Sequence, residues 1–526
     1  MSEHRWTRSY PPGVHWDAEL PLMPVPQILD DAVARWPELP AIDYMGRVLS
    51  YRELGALTDR AAKGLQALGV GPGVHVGLYL PNCPQYIIAF FGVLKAGGTV
   101  VNYSPLDAER VLAHKVEDSE TDFLVTLDMT TLYPQMARLL GASRLKKLII
   151  GNIADYAAHP GAVRAHLQGA GQLAPVPVDD RHVPFEQLLA NDGRYEPHAL
   201  GDLRQAIVVL QYTGGTTGLP KGAMLTHGNL SAANQQYWLT CMQGGYGLAE
   251  GEEVFLAVLP PFHIYALSVN MLLGVAIGAT QVLHTRFEPE AILKDLAAKK
   301  VSVFPGVPTM YTAINNFPGV EQFDLRALKF CGSGGAPLPV EVHQRFMQLT
   351  GCSLSEGWGM TETSPSGTFT PTSLPARPGS CGMPMPGIDF RFARLDGEAG
   401  YVAPGERGEI CVKGPNIMKG YWNNPQATAD AFDANGYMRT GDVGYMDADG
   451  YIHIVDRTKD MLLCSGYNVY PRTIEEAIYA HPAVAEVCVI GIPDEYRGQS
   501  PKAFIVLKAG APAFTVDERS EERRVG

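Results

Sequence analysis

The stretch "AIVVLQYTGGTTGLPKGAMLTHGNL", Ala206 to Leu230, decides the fold. It opens as a β-branched run suited to a buried strand. It then breaks into a loop rich in glycine and threonine and resumes as a helical pattern. The helix is expected to start near Asn229, whose side chain can cap it. Glycines Gly214, Gly215 and Gly218 leave backbone N–H groups open. With the hydroxyls of Thr213, Thr216 and Thr217 and the charge of Lys221, these groups suit phosphate oxygens. A Walker A loop would require Ser or Thr after the lysine, and Gly222 stands there. Taken alone, the stretch fits a phosphate cradle or a flexible glycine loop.

On either side of it, short β-rich runs alternate with helical patterns. "SYRELGALTDRAAKGLQALGV" has helical spacing and a stop at Gly69 and Gly71. "HVGLYLPN", "TDFLVTL" and "LKKLIIG" read as strands, and "PQYIIAFFGVLKAGGTVV" as an apolar helix followed by a strand. The alternation predicts an α/β protein with largely parallel sheets. Residues 155–203 are irregular and read as a long surface insertion. The uncharged run Leu267–Leu283 is short and broken by Ser, Asn, Gly and Thr, so it reads as a buried helix and a strand, not a membrane span. Near the other end, "GYMRTGDVGYMDADGYIHIVDRTKDMLLCSGYNVYP" predicts short strands and tight turns. A helix and a strand follow it. A boundary is placed so that residues 1–456 form a large domain and 457–526 a small one.

At 526 residues the chain exceeds one hydrophobic core. Its 42 basic and 55 acidic residues give a net charge of −13, and no basic run exceeds two residues. Nucleic-acid binding is therefore not expected. The N-terminus lacks the apolar core of a signal peptide. Eight scattered cysteines without a C-x-x-C pair read as reduced thiols of a cytoplasmic protein, not a disulfide frame or zinc site.

Three further stretches carry chemistry. In "EGWGMTETSP", Trp358 stands between Gly357 and Gly359, where a ring can stack on a planar base. Met360 and Thr361 follow, and Glu362 supplies a carboxylate able to ligate magnesium among phosphates. Asp442 of "RTGD" can accept both hydroxyls of a ribose, and Arg457 of "VDRTKD" can add a bond. Each stretch singly also fits a solvated turn. His263 in "LPPFHIYAL" lies among aromatics and prolines, where a histidine is either a satisfied core residue or a site residue.

In this order, these stretches resemble the adenylate-forming superfamily, which includes acyl-CoA synthetases, 4-coumarate–CoA ligases, firefly luciferases and peptide-synthetase adenylation domains. The resemblance runs from about Pro26 to about Val516. It implies a large N-terminal domain of parallel-sheet subdomains and a distorted β-barrel, with a small mobile α+β C-terminal domain. It implies ATP, Mg2+ and coenzyme A, and a carboxylic acid activated as acyl-AMP before transfer to the CoA thiol. Thr213 to Gly218 and Lys221 match the phosphate loop. Gly335, Ala336 and Pro337 match the segment along the adenine. Trp358 falls where tyrosine or phenylalanine is common. Thr361 matches an α-phosphate contact, and Glu362 with Thr217 the magnesium ligands. Asp442 and Arg457 match ribose contacts, Lys459 the hinge, and Ser465 and Gly466 the pantetheine tunnel. His263 to Leu267, Phe304 to Met310 and Gly332 to Gly335 match the acid pocket. These stretches hold no lysine or arginine, which favours a medium- to long-chain fatty acid over an aryl acid and then a dicarboxylate.

One departure stands out. The family's adenylation lysine lies in a P-K-T-x-x-G-K-like motif, whereas here "PKAFIVLKAGAPAFTVDE" runs into "RSEERRVG". The resemblance then implies an impaired first half-reaction. Loading of a carrier protein and a nucleotide-binding relic are the alternatives to a CoA ligase. No transmembrane segment is expected, which leaves room for peripheral membrane contact, and the oligomeric state is open.

Overall fold

The computed structural model describes residues 4–510 apart from 214–218, 337, 372–376, 378, 404, 465–466, 480, 482, 495–497 and 509. Two seven-stranded sheets dominate the large domain. The first runs, in spatial order, His182–Pro184, Lys147–Gly151, Thr121–Leu127, His75–Leu78, Thr99–Asn102, Ile207–Thr213 and Lys221–Thr226. All its pairs are parallel except the last. The second contains Leu354–Glu356, Phe330–Ser333, Val303–Gly306, Val254–Ala257, Thr280–Leu283 and Pro40–Tyr44 in parallel, closed by antiparallel Arg47–Ser50. Strands such as His75–Leu78 and Thr99–Asn102 are buried at every position, which is why they read as continuous apolar runs without alternation.

The helix Pro84–Lys95 is buried along its whole length. Its residues are apolar on nearly every face, which places it inside a core, and its buried Lys95 is paired with Asp30 and Asp59. Burying Phe90 and Phe91 contributes about 1.5–3 kcal/mol each. The helix approaches Tyr51–Ala67 closely, since a Cβ at Gly92 would lie 2.6 Å from the Ala61 Cβ. Tyr51–Ala67 starts at a capping box on Ser50 and Glu53 and ends before Gly69, at φ +96°.

A third, β-rich unit holds the antiparallel sheet Asp389–Ala393, Gly408–Lys413, Met438–Met446 and Ile452–Arg457, with a two-stranded ribbon beside it. The small C-terminal unit is an antiparallel sheet of Tyr467–Val469, Leu462–Cys464, Gly498–Leu507 and Val484–Asp494. The helix Pro471–Tyr479 packs on it. The fold is thus the expected mixed α/β architecture.

Two local readings change. Residues 155–203 are only partly an insertion. The helix Pro160–Gly169 buries nothing, but His182–Pro184 extends the first sheet and Phe185 and Leu188 enter the core. A three-residue strand is too short to carry a readable period. Secondly, the helix after the Gly/Thr loop spans His227–Gln243 and is capped by Thr226, whose Oγ1 accepts the Asn229 N–H at 3.1 Å. Asn229 sits three residues in and accepts the Thr226 N–H at 3.0 Å. Its Nδ2 donates to the Pro415 and Ile417 carbonyls, tying the β-rich unit to the helix. The run Leu267–Leu283 is, as expected, a buried helical segment and a strand. It begins with a π-helical turn, Ala266–Leu272, three residues on from His263, a distortion frequent at functional sites.

Candidate active site

In a parallel sheet the loops leaving the carboxyl ends of the strands share one edge. Here that edge collects the loops after Val254–Ala257, Val303–Gly306, Phe330–Ser333 and Leu354–Glu356. They line one cleft of about 3360 Å³, which also takes in Thr213, Lys221, Asp442, Arg457 and Lys459 and part of the C-terminal unit. Residues dispersed over more than 240 positions of sequence therefore face one space.

Thr213 and Lys221 are cross-strand partners in the antiparallel pair that brackets the Gly/Thr loop. The loop residues Gly214, Gly215, Thr216, Thr217 and Gly218 lie outside the described residues, as do Pro337, Ser465 and Gly466. The Lys221 Nζ stands 4.3 Å over the centroid of the Tyr421 ring, a cation–π arrangement. The Tyr421 hydroxyl donates to Glu362 Oε1 at 2.7 Å. Glu362 is only 6% exposed, and burial raises its carboxyl pKa. The Tyr421 hydrogen bond and the Lys221 charge oppose that rise. Tyr421 is one residue that sequence reading missed. Nothing local in "KGYWNNP" distinguishes its tyrosine, because its role comes from Gly222 and Met224, whose strand exchanges backbone hydrogen bonds with Gly420 and Trp422.

The turn carrying Glu362 is fixed by backbone crowding. A Cβ at Gly359 would overlap the Pro365 carbonyl oxygen. Thr361–Thr363 forms one 3₁₀ turn, and the Met360 N–H donates to Thr363 Oγ1 at 3.0 Å. Asn416 donates to the Thr363 and Ser366 carbonyls, and Met418 N–H to the Glu362 carbonyl at 2.8 Å. Gly357 N–H reaches the Ser333 carbonyl at 3.3 Å, which joins this turn to the loop of Gly335, at φ +78°, and Ala336.

Asp442 is 7% exposed. Its Oδ2 accepts the Trp358 indole N–H at 2.8 Å and its Oδ1 the Arg457 Nε–H at 3.2 Å. Burial raises the Asp442 pKa, while the Arg457 charge and the Trp358 bond oppose the rise, with a smaller contribution from Lys459. His263 opens on the same cleft. Its Nδ1 accepts the Tyr265 N–H at 3.3 Å, and desolvation lowers its pKa, which favours a neutral ring. The segment before it is held from the first sheet. Asn82 Nδ2 donates to the Ala257 and Leu259 carbonyls, and Gln211 Nε2 to the Phe262 carbonyl at 2.6 Å. Sequence reading singled out neither Asn82 nor any role for Gln211.

A model of the AMP-binding enzyme family matches residues 29–422, and that of the AMP-binding enzyme C-terminal domain matches residues 473–523. The chain belongs to the AMP-binding enzyme family. Among relatives of this AMP-binding enzyme, a long-chain-fatty-acid–CoA ligase of Bacillus subtilis is 39% identical over 98% of the chain and 91% of its own length. A feruloyl-CoA synthase of an Amycolatopsis species is 35% identical over 90% of the chain and 87% of its own length. The solved O-succinylbenzoate coenzyme A synthetase of Bacillus subtilis, in complex with ATP and magnesium ion, superposes with a TM-score of 0.76 at 26% identity. That match covers 96% of the chain and 94% of the other. Among the described residues no helix is long and apolar enough to cross a membrane. Nor do three or more His, Cys, Asp or Glu side chains form a metal cage.

Proposed function

We propose that this AMP-binding enzyme is an acid–CoA ligase that activates a medium- to long-chain fatty acid with ATP. The observation carrying the reading is the sequence of donors along one cleft: Lys221 over Tyr421, Tyr421 on Glu362, and Trp358 on Asp442. Trp358, with Gly357 to Met360 and Gly335 to Pro337, holds the adenine. Asp442 and Arg457 hold the ribose. Thr213, the loop to Gly218, Thr361 and Lys221 hold the phosphates.

The acid's carboxylate attacks the α-phosphorus, the bond to the β-phosphate breaks, and acyl-AMP and pyrophosphate result. Lys221 meets the negative charge that builds on the phosphates. Magnesium, when bound, acts as a Lewis acid on phosphate oxygens. Glu362 fits this ion: its carboxylate lines the cleft, with one oxygen held by Tyr421. A small hard cation needs only one or two protein carboxylates beside phosphate oxygens, and Thr217 is the second proposed ligand. The CoA thiol, its pantetheine arm passing Ser465 and Gly466, then attacks the acyl carbon, and AMP leaves. A neutral His263, facing the cleft before the acid pocket, orients the acid. The division at 456/457, with Lys459 as hinge, lets the small unit change pose between the two steps. The eight cysteines are all free thiols, which supports a cytoplasmic location.

The test is pyrophosphate release with Mg-ATP, CoA and acids from acetate to palmitate plus cinnamates, beside thioester formation from preformed acyl-AMP. Acid-dependent release and thioester formation are both expected, with palmitate-class acids preferred. A preference for cinnamates selects the aryl-acid reading, which the feruloyl-CoA synthase relative favours. Thioester formation only on a phosphopantetheinyl carrier sinks the CoA reading, and nucleotide binding without either step marks a relic.

A further inference from the structure

A base-stacking role uses the face of Trp358. Its edge is also engaged. We propose that Trp358 is a positioning residue for Asp442: its indole N–H sets the carboxylate for the ribose hydroxyls, so that base stacking and ribose recognition act as one unit. The inference rests on the ribose reading of Asp442.

The indole is locked before any ligand arrives. Its backbone N–H donates to Thr368 Oγ1 at 2.8 Å, and its carbonyl accepts the Thr368 N–H at 2.9 Å. The ring lies on Gly367, where a Cβ would stand 2.5 Å from Cε3 and 2.8 Å from Cζ3. Phe390 meets it edge-on, with centroids 5.9 Å apart and planes at 65°. Held on these sides, the ring aims Nε1 at Asp442 Oδ2, 2.8 Å away. A carboxylate torsion is broad and roughly two-fold, so an otherwise free Asp442 would sample several orientations. With Trp358 on Oδ2 and Arg457 Nε on Oδ1, the plane of the group is set. An ionised carboxylate has about four lone-pair sites. Two donors therefore leave room for two ribose hydroxyls. Phenylalanine at this position has no donor, and tyrosine carries its own at the far end of the ring. The indole is what makes the coupling available in this chain.

The experiment compares binding of AMP and 2′,3′-dideoxy-AMP by calorimetry in the 526-residue protein, Trp358→Phe, Asp442→Asn and the double variant. A variant with 3-benzothienylalanine at 358 keeps the shape of the indole and lacks its N–H, which guards against loss of fold in Trp358→Phe. Loss of a hydrogen bond to a charged group predicts about 10-fold weaker AMP binding and at most about 2-fold for the dideoxy nucleotide. The double variant should be no weaker than Asp442→Asn alone. Equal losses for both nucleotides at 358, or no loss for either, overturn the proposal. If Asp442→Asn itself weakens both nucleotides equally, the ribose reading fails and the proposal falls with it. If only Asp442→Asn discriminates between them, the reading stands and the positioning role is overturned.

Discussion

At the scale of the residue, Glu362 and Tyr421 carry the sharpest expectations. Tyr421→Phe removes the hydroxyl that favours the charged carboxylate. The Glu362 pKa, already raised by burial, then rises further. The acidic limb of magnesium-dependent ATP binding should move to higher pH in this variant, as read by calorimetry across a pH series. An unmoved limb would mean that Glu362 does not govern it. Stability has its own sign. A carboxyl whose folded pKa is raised favours folding while protonated and loses that contribution as pH rises through the folded value. Glu362→Gln mimics the neutral form, so it should melt above the parent at pH 8, with the gap closing as pH falls below the normal carboxylate range. Its ATP turnover should fall on the order of 100-fold. Differential scanning calorimetry at several pH values checks the first claim and steady-state kinetics the second.

At the scale of the element, the helix His227–Gln243 separates a cap from a clamp. Thr226→Ala loses one cap bond and should cost about 1 kcal/mol. Asn229→Ala also strands the Pro415 and Ile417 carbonyls, which its Nδ2 serves. Each unsatisfied buried group costs about 1–3 kcal/mol, so Asn229→Ala should be the more damaging by urea unfolding. Equal costs would reduce Asn229 to a cap partner. The helix itself was legible from its pattern, but its first residue was not. Thr226 and Asn229 are both good caps, and only the orientation of the chain toward residues 415–417 separates their roles.

At the scale of the molecule, the proposed acid pocket depends on contacts between sheets. Asn82 leaves the first sheet and holds the Ala257 and Leu259 carbonyls that lead to His263. Asn82→Ala should raise KM for the acid about 10-fold while leaving AMP affinity unchanged. Parallel losses in both would place Asn82 in general packing instead.

By itself the sequence determined the α/β class and the buried strands, and it singled out the Gly/Thr loop and the stretches that the proposed nucleotide site uses. These are local properties, set by period, composition and the spacing of glycines, hydroxyls and charges. Tyr421, Asn82, the bond from Trp358 to Asp442 and the clamp of Asn229 were decided only by the tertiary structure. Each joins residues from separate elements, the nearest pair, Glu362 and Tyr421, standing 59 positions apart. No period or spacing records such a meeting, because it depends on which strand lies beside which and on which side chain finds its donor once water has been excluded.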